Sequence, residues 1–477
     1  VKQMRIVLAT LIALAMAVPA MAINVEWHGD FNHRFSYSTQ ADTSKRTSKD
    51  SEKYFGSGTF NGTPFVAAGS KVSVPDTKKE KNDSDFFGEI KYRMHMVVSD
   101  DEKKVKGVVG FEFGSSKFGS KDQGANFGGD QNVFELRWAY TDIEVPFDPA
   151  SRLSIGLQPV GYNYMLWTDN AGGVKWKRAE GNWAYSLGWF RNDWNGGKDA
   201  GGDKKSAYDD AYAADLTYVF DNGNSLNAFI VYMDQGQEAA GATDLESGDF
   251  FDAEKAYDDF SLQDEEIWIG LSGKGKWNNL SGMFTGIYLT GEVTVDGLED
   301  DIALANGTYD RSAYLFHGQL DYAMGKNTFT LGGLYASGDD DPYDDDLENF
   351  DVIDISTSIL GSVIIFDNYA DDNSFSQAPY VFDQGYKLIY VGAARKLNAK
   401  TKVWAKYFWH NTAEDELLGD DEIGHEFVVG ASYTIMKGLT ADINAGYLVA
   451  GDAWEAMNAE GDGDDVFRTD ARLRLKF

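Results

Sequence analysis

Seven basic side chains invite a chemical reading: Arg34, Lys91, Arg93, Arg137, Lys406, Arg468 and Arg472. Each stands at an alternate position of an apolar–polar run, so each belongs to the polar face of an extended chain. Fixed cations along one polar wall attract and sort ions; by themselves they break no bonds. Catalytic chemistry finds little support elsewhere. The chain has no Cys, which removes thiol nucleophiles, thiolate metal ligands and disulfides, and its six His show no His-x-x-x-His spacing. His33 interrupts an apolar face near Ser36 and Ser38, but Ser36 points the other way, so no hydrolytic serine–histidine pair is expected. No glycine loop followed by Lys-Ser or Lys-Thr is present, and a formal net charge of −33 repels nucleic acid. The chain is therefore not expected to be an enzyme or to carry a cofactor or resident metal.

The elements that must hold these cations are strands. Val25, Trp27, Gly29, Phe31, Phe35 and Tyr37 share one face, with His33 alone among them; Glu26, His28, Asp30, Asn32, Arg34 and Ser36 share the other. The last strand, Val466 to Phe477, alternates charged residues with mostly apolar ones and ends on an aromatic. One face meeting lipid and the other meeting water explains both patterns. Counting such segments gives 25–37, 86–98, 105–113, 134–140, 153–157, 174–178, 183–189, 212–220, 226–232, 267–271, 283–293, 314–322, 329–335, 386–394, 403–409, 427–435, 441–449 and 466–477, a total of 18. A slip at 174–178 or across 270–280 would leave 16. Short links such as 99–104, 221–225, 324–327, 396–400 and 436–440 alternate with long excursions such as 38–85 and 337–385. Tight turns on one rim and long loops on the other predict an all-β transmembrane antiparallel barrel with periplasmic turns and extracellular loops, occupying 23–477. Ahead of it, Lys2 and Arg5 precede an apolar run from Ile6 to Val18 and then Pro19-Ala20-Met21-Ala22. That order predicts a signal peptide over 1–22 with cleavage after Ala22, which takes the formal charge from −33 to −35.

Heights follow from the strands. A tilted strand climbs roughly 2.5 Å per residue along the barrel axis. Counting from the turns places Arg93, Arg137, Lys406 and Arg472 near mid-membrane, with Arg34, Lys91 and Arg468 somewhat higher. Glu89, Glu135 and Asp470 interleave with them, so each base either pairs with a neighbour to stiffen the wall or forms part of a selective strip.

The chain resembles the homotrimeric porins of Gram-negative outer membranes. The resemblance is carried by Phe477, by the strands Phe134-Glu135-Leu136-Arg137-Trp138-Ala139-Tyr140 and Arg152-Leu153-Ser154-Ile155-Gly156-Leu157-Gln158, and by the loop that follows them. It implies a trimeric water-filled channel for passive diffusion of small hydrophilic solutes and ions, closed at Phe477 and constricted by its third loop. Here that loop, 159–173, is short, has Asp169 as its one acid and lacks an acidic Pro-Glu-Phe-Gly-Gly pattern. Its Tyr162, Tyr164 and Trp167 would stack on sugar rings in a saccharide channel or pack the loop against the wall. A sugar- or anion-specific porin is thus one alternative; a surface adhesin or structural barrel with a blocked lumen is another.

Partners follow from the loops. The run Asp339-Asp340-Asp341-Pro342-Tyr343-Asp344-Asp345-Asp346 would either stay solvated or hold Ca²⁺ or Mg²⁺ against anionic lipopolysaccharide. In the same loop Val352 to Phe366 is apolar enough to need cover, in the vestibule or on a neighbouring subunit. Gly29 and His33, small and polar on an outward face, suit protein contact and so favour the trimer.

Overall fold

A computed structural model describes residues 23–39, 59–60, 63–64, 84–120, 134–195, 207–239, 261–296, 307–341, 346–355, 357–367, 369, 384–415, 419–457 and 465–477. The expected signal peptide and most of the first long loop lie outside them. The wall strands are β1 Asn24–Ser38, β2 Asp85–Ser99, β3 Val105–Lys117, β4 Phe134–Val145, β5 Asp148–Pro159, β6 Asn170–Glu180, β7 Trp183–Asn195, β8 Ala207–Val219, β9 Ser225–Ala239, β10 Ser261–Trp277, β11 Leu280–Asp296, β12 Gly307–Met324, β13 Asn327–Ala336, β14 Tyr386–Lys396, β15 Thr401–Asn411, β16 Glu422–Met436, β17 Leu439–Ala450 and β18 Val466–Lys476. Each is antiparallel to its sequence neighbour, and β1 pairs on one side with β2 and on the other with β18, so the 18-stranded sheet closes on itself with no free edge.

Closure lets every backbone group of the wall find a partner within the sheet, the condition for crossing hydrocarbon. The outward positions are the apolar ones: Val25, Trp27, Ile230, Ile269, Leu271, Phe316, Leu331, Ile389, Val429 and Ile443 are all exposed. Aromatics concentrate towards the strand ends, with Trp183, Trp277, Tyr322 and Tyr433 at one rim and Tyr212, Trp409 and Tyr447 towards the other. The connections at the first rim are two to five residues long, and those at the second ten or more. Gly325 and Gly438, with φ of 61° and 83°, supply the left-handed backbone that two of the tightest turns need.

Inside, the barrel is not uniformly polar. The loop 160–169 turns inward after β5 and meets 346–355 and 357–367, which fold back from the long loop after β13. The two join through backbone bonds: the Thr168 N–H donates to the Asp354 carbonyl at 2.7 Å, and the Ile353 and Asp354 N–H groups donate to the Leu166 carbonyl at 3.1 and 3.2 Å. Around that junction an apolar core forms between loops and wall, including Met165, Leu166, Trp268, Leu289, Leu315, Phe350, Ile355, Leu360 and Val363. The apolar stretch from Val352 to Phe366 therefore finds its cover inside the chain's own barrel.

Candidate functional site

The polar half of the interior lies on β1 to β6 and β18, and its centre is one carboxylate. Glu112 on β3 meets Lys91 Nζ at 3.1 Å, Arg93 Nε at 2.5 Å and Arg137 Nη1 at 2.6 Å. Two bulges allow this convergence. Pairing of β2 with β3 skips Lys91, and pairing of β3 with β4 skips Arg137, so each cation swings towards Glu112 from a different side. Arg93 comes from the pair Arg93↔Glu112 itself. Three cations thus meet on one carboxylate, and the side chains of Arg93 and Arg137 stay partly open, 27 % and 17 % exposed.

Basic groups continue along the wall. Asp142 on β4 is shared by the guanidinium of Arg152 and, at 3.6 Å, by Lys177, while Ser154 Oγ donates to it at 2.8 Å. Lys175 lies over the Tyr162 ring at 4.4 Å. From Lys91 to Lys177, five basic groups thus meet two carboxylates.

At the long-loop end the picture changes. Arg34 pairs with Glu89 at 2.7 Å and with Asp367 of the inner loop at 2.6 Å; Arg468 also reaches Asp367 at 2.6 Å and Asp470 at 3.3 Å. Burial alone would raise the Asp367 carboxyl, but the guanidiniums of Arg468 and Arg34 outweigh it and hold it well below the usual carboxylate range. Arg472 pairs with Asp442 at 3.0 Å beneath the Tyr369 ring, which lies 4.0 Å away. Arg34, Arg468 and Arg472 therefore stand on the expected wall but under the loop.

Lys406 lies apart from that group. Its ammonium donates to the Leu360 carbonyl at 2.9 Å, flanked by the rings of Tyr390 and Phe408, so it props the inner loop. Beside it, buried Glu426 accepts Ser362 Oγ at 2.6 Å and the Val363 and Ile364 N–H groups at 2.7 and 2.9 Å. In the other loop Tyr162 and Trp167 are buried in the apolar core, the Tyr164 hydroxyl contacts His317 Nδ1 at 2.8 Å, and Asp169 accepts from Asn170 at 2.9 Å. Phe477 closes the barrel: its N–H and C=O bond both ways with Gly29, at 3.1 and 3.0 Å, and its ring covers the face where Gly29 has no side chain.

Two outward expectations change. Strict alternation sends Trp138 and Tyr140 outward with Leu136, but the bulge at Arg137 turns Trp138 inward, where its indole donates to Asn170. Gly29 and His33, expected to meet a neighbouring subunit, are occupied within the chain: Phe477 covers the first, and Tyr92 Oη bonds His33 Nε2 at 2.6 Å.

Sequence reasoning missed Glu112, Glu426 and Arg311. Arg311 on β12 is fully buried with Asp264 at 2.7 Å and Glu266 at 3.6 Å. The signal for Arg311 was its parity with Ala313 and Leu315, just beyond the segment counted as strand. For Glu112 and Glu426 parity marked the inward face, but nothing local marked their partners.

No family model matches the chain, and no curated protein matches it. Among solved structures it is similar to the outer membrane protein OpdK from Pseudomonas aeruginosa, at 10% identity and a TM-score of 0.48 over 95% of this chain and 98% of that one. It is also similar to OccAB1 from Acinetobacter baumannii, at 13% identity and 0.48 over 94% and 96%. A third is OccK2 (OpdF) from Pseudomonas aeruginosa in complex with glucuronate, at 11% identity and 0.48 over 95% and 97%.

Proposed function

We propose that this chain is an outer-membrane porin, a channel for passive diffusion of small hydrophilic solutes and ions along the basic wall. The observation that carries the reading is the triple engagement of Glu112 by Lys91, Arg93 and Arg137, a gathering of cations six to eight residues above the short-turn rim in which two guanidiniums stay partly open. A protein core has no reason to gather three cations on one acid. A water-filled path has one, because partly open guanidiniums at its narrow level lower the barrier for anions. The apolar outer face and sorted loop lengths support the outer membrane as its site, with export directed by the segment that ends at Ala22.

Single-channel conductance in planar bilayers tests the reading. Discrete current steps with anion preference at high salt are expected, and replacing Arg93, Arg137 and Arg472 together by Gln should remove that preference. A barrel that inserts and carries no current overturns it. The second reading, a structural or adhesive barrel with a blocked lumen, is favoured by the packing of 160–169 against 346–355 and 357–367 across the interior, and the same measurement decides between them. A sugar- or anion-specific porin would show current block by its solute at low concentration.

The trimer implied by the resemblance is carried as part of the proposal, and mass measurement in detergent checks it. Bridging to lipopolysaccharide through Ca²⁺ or Mg²⁺ rests on the charge of the exposed Asp340, Asp341 and Asp346, since Asp339 is buried; positions 342–345 of that run lie outside the described residues. Among the described residues no three acidic or His side chains converge as ligands.

A further inference from the structure

The inner loop is fastened at two places of opposite character. At one, Glu426 is completely buried and receives Ser362, Val363 and Ile364, with His410 Nε2 behind it at 3.2 Å. Detaching the loop there would strand a buried carboxylate and two backbone N–H groups, so this fastening is permanent. At the other, Asp367 spans Arg34 and Arg468: Arg34 Nη1 donates to both of its oxygens, at 2.6 and 2.7 Å, and Arg468 Nη2 donates to Oδ2 at 2.6 Å. Its side chain is 16 % exposed and its φ of 36° lies in the left-handed region that a non-glycine residue enters under strain.

The partners of Asp367 do not depend on it. Were it to leave, Arg34 would keep Glu89 and Arg468 would keep Asp470. Detachment therefore leaves no orphaned buried cation, and it uncovers a pair of guanidiniums spaced to hold a carboxylate, because one holds them now. A small oxyanion with the same two oxygens reproduces the geometry, while Asp367 regains water and relaxes its backbone.

We propose that the loop is a strap with one permanent and one releasable fastening, and that a small carboxylate arriving along the basic wall exchanges with Asp367 between Arg34 and Arg468. Exchange lifts Tyr369 from Arg472 and extends the open basic wall from the Glu112 cluster to the long-loop rim. The consequence for transport rests on the channel reading; the exchange itself does not. A tethered carboxylate competes at an effective concentration of about millimolar, so solute in that range is what releases the strap.

Hydrogen exchange on the purified wild-type barrel, in acetate against chloride at matched ionic strength, tests this without a mutation. The amides of Asp367 and Tyr369 should exchange about tenfold faster in acetate, the loss expected for a charged hydrogen-bond pair, while those of Val363 and Ile364 stay protected. Asp367→Asn should show the fast rate without acetate. Equal acceleration in chloride overturns the exchange, since screening alone then explains it, and slow exchange in acetate and in Asp367→Asn alike overturns the strap. Bilayer conductance of the same two proteins keeps the readings apart. Absence of current in both rejects the channel while the exchange rates still judge the strap; higher conductance in Asp367→Asn supports both.

Discussion

Among single residues, charge balance decides what each acid does. Glu112 meets three cations, so Glu112→Gln should strengthen anion preference and cost about 2 kcal/mol, less than a fully buried pair because Arg93 and Arg137 still reach water. Reversal potentials and denaturation of the variant check the two halves separately. Asp351 is the opposite case. It lies in the inner loop, feels Arg311, and shares that one guanidinium with Asp264 and Glu266. Burial is the larger effect, outweighs Arg311, and raises the Asp351 carboxyl to about 6. A carboxyl raised on folding binds its proton more tightly in the native state, so stability falls as pH climbs from the ordinary carboxylate range through about 6 and stays lower above it. Asp351→Asn should therefore raise the thermal midpoint at about pH 8 relative to wild type and leave it little changed near pH 4.5. A shift of equal size at both values would refute the assignment.

Among the elements, strands were legible because alternation is a local property: all 18 segments reappear, most of them a few residues longer. What alternation does not show is where it breaks. The bulge that admits Arg137 also reverses Trp138, and both depend on how β4 sits against β3 rather than on the composition of β4. Closure offers a direct test. A Cβ on Gly29 would stand 2.5 Å from the Phe477 ring, so Gly29→Leu must displace that ring from the seam of β1 and β18. A loss of about 1 to 3 kcal/mol is expected, and Phe477→Ala should make the second substitution nearly neutral, which a double-mutant cycle reads as coupling. The inner loop offers another. Glu426→Leu removes the acceptor of two buried N–H groups at about 1 to 3 kcal/mol each, and should expose 360–367 to protease without opening the wall.

For the whole molecule, the absence of Cys makes topology testable. On intact cells a cysteine at Asp341 should label with an impermeant reagent and one at Asn398 should not; both positions are exposed. The reverse result inverts the barrel. On the proposed channel reading, acidic loops and basic wall act in opposition: the loops would enrich cations at the mouth and the wall would favour anions within. At 1 M salt the Debye length is about 3 Å, which silences a wide vestibule before it silences close contacts. Weak cation preference at low salt should therefore drift towards anions as salt rises.

Local pattern alone was enough to specify the closed wall, its strand number to within one hairpin, the rim that carries the loops, and the inward side of nearly every strand. Period-two patterning, turn chemistry and loop length are all written in neighbouring residues, and a barrel repeats them 18 times. The interior was settled by encounters across the chain. Whether Arg34 lines a path or clasps a loop depends on Asp367, 333 positions away; whether Lys406 is a filter or a prop depends on Leu360. The resemblance implied a constricting third loop, and in the structure that loop shares the lumen with an apolar stretch from the loop after β13. Such contacts join segments that are distant in sequence, and no alternation within either segment specifies the other.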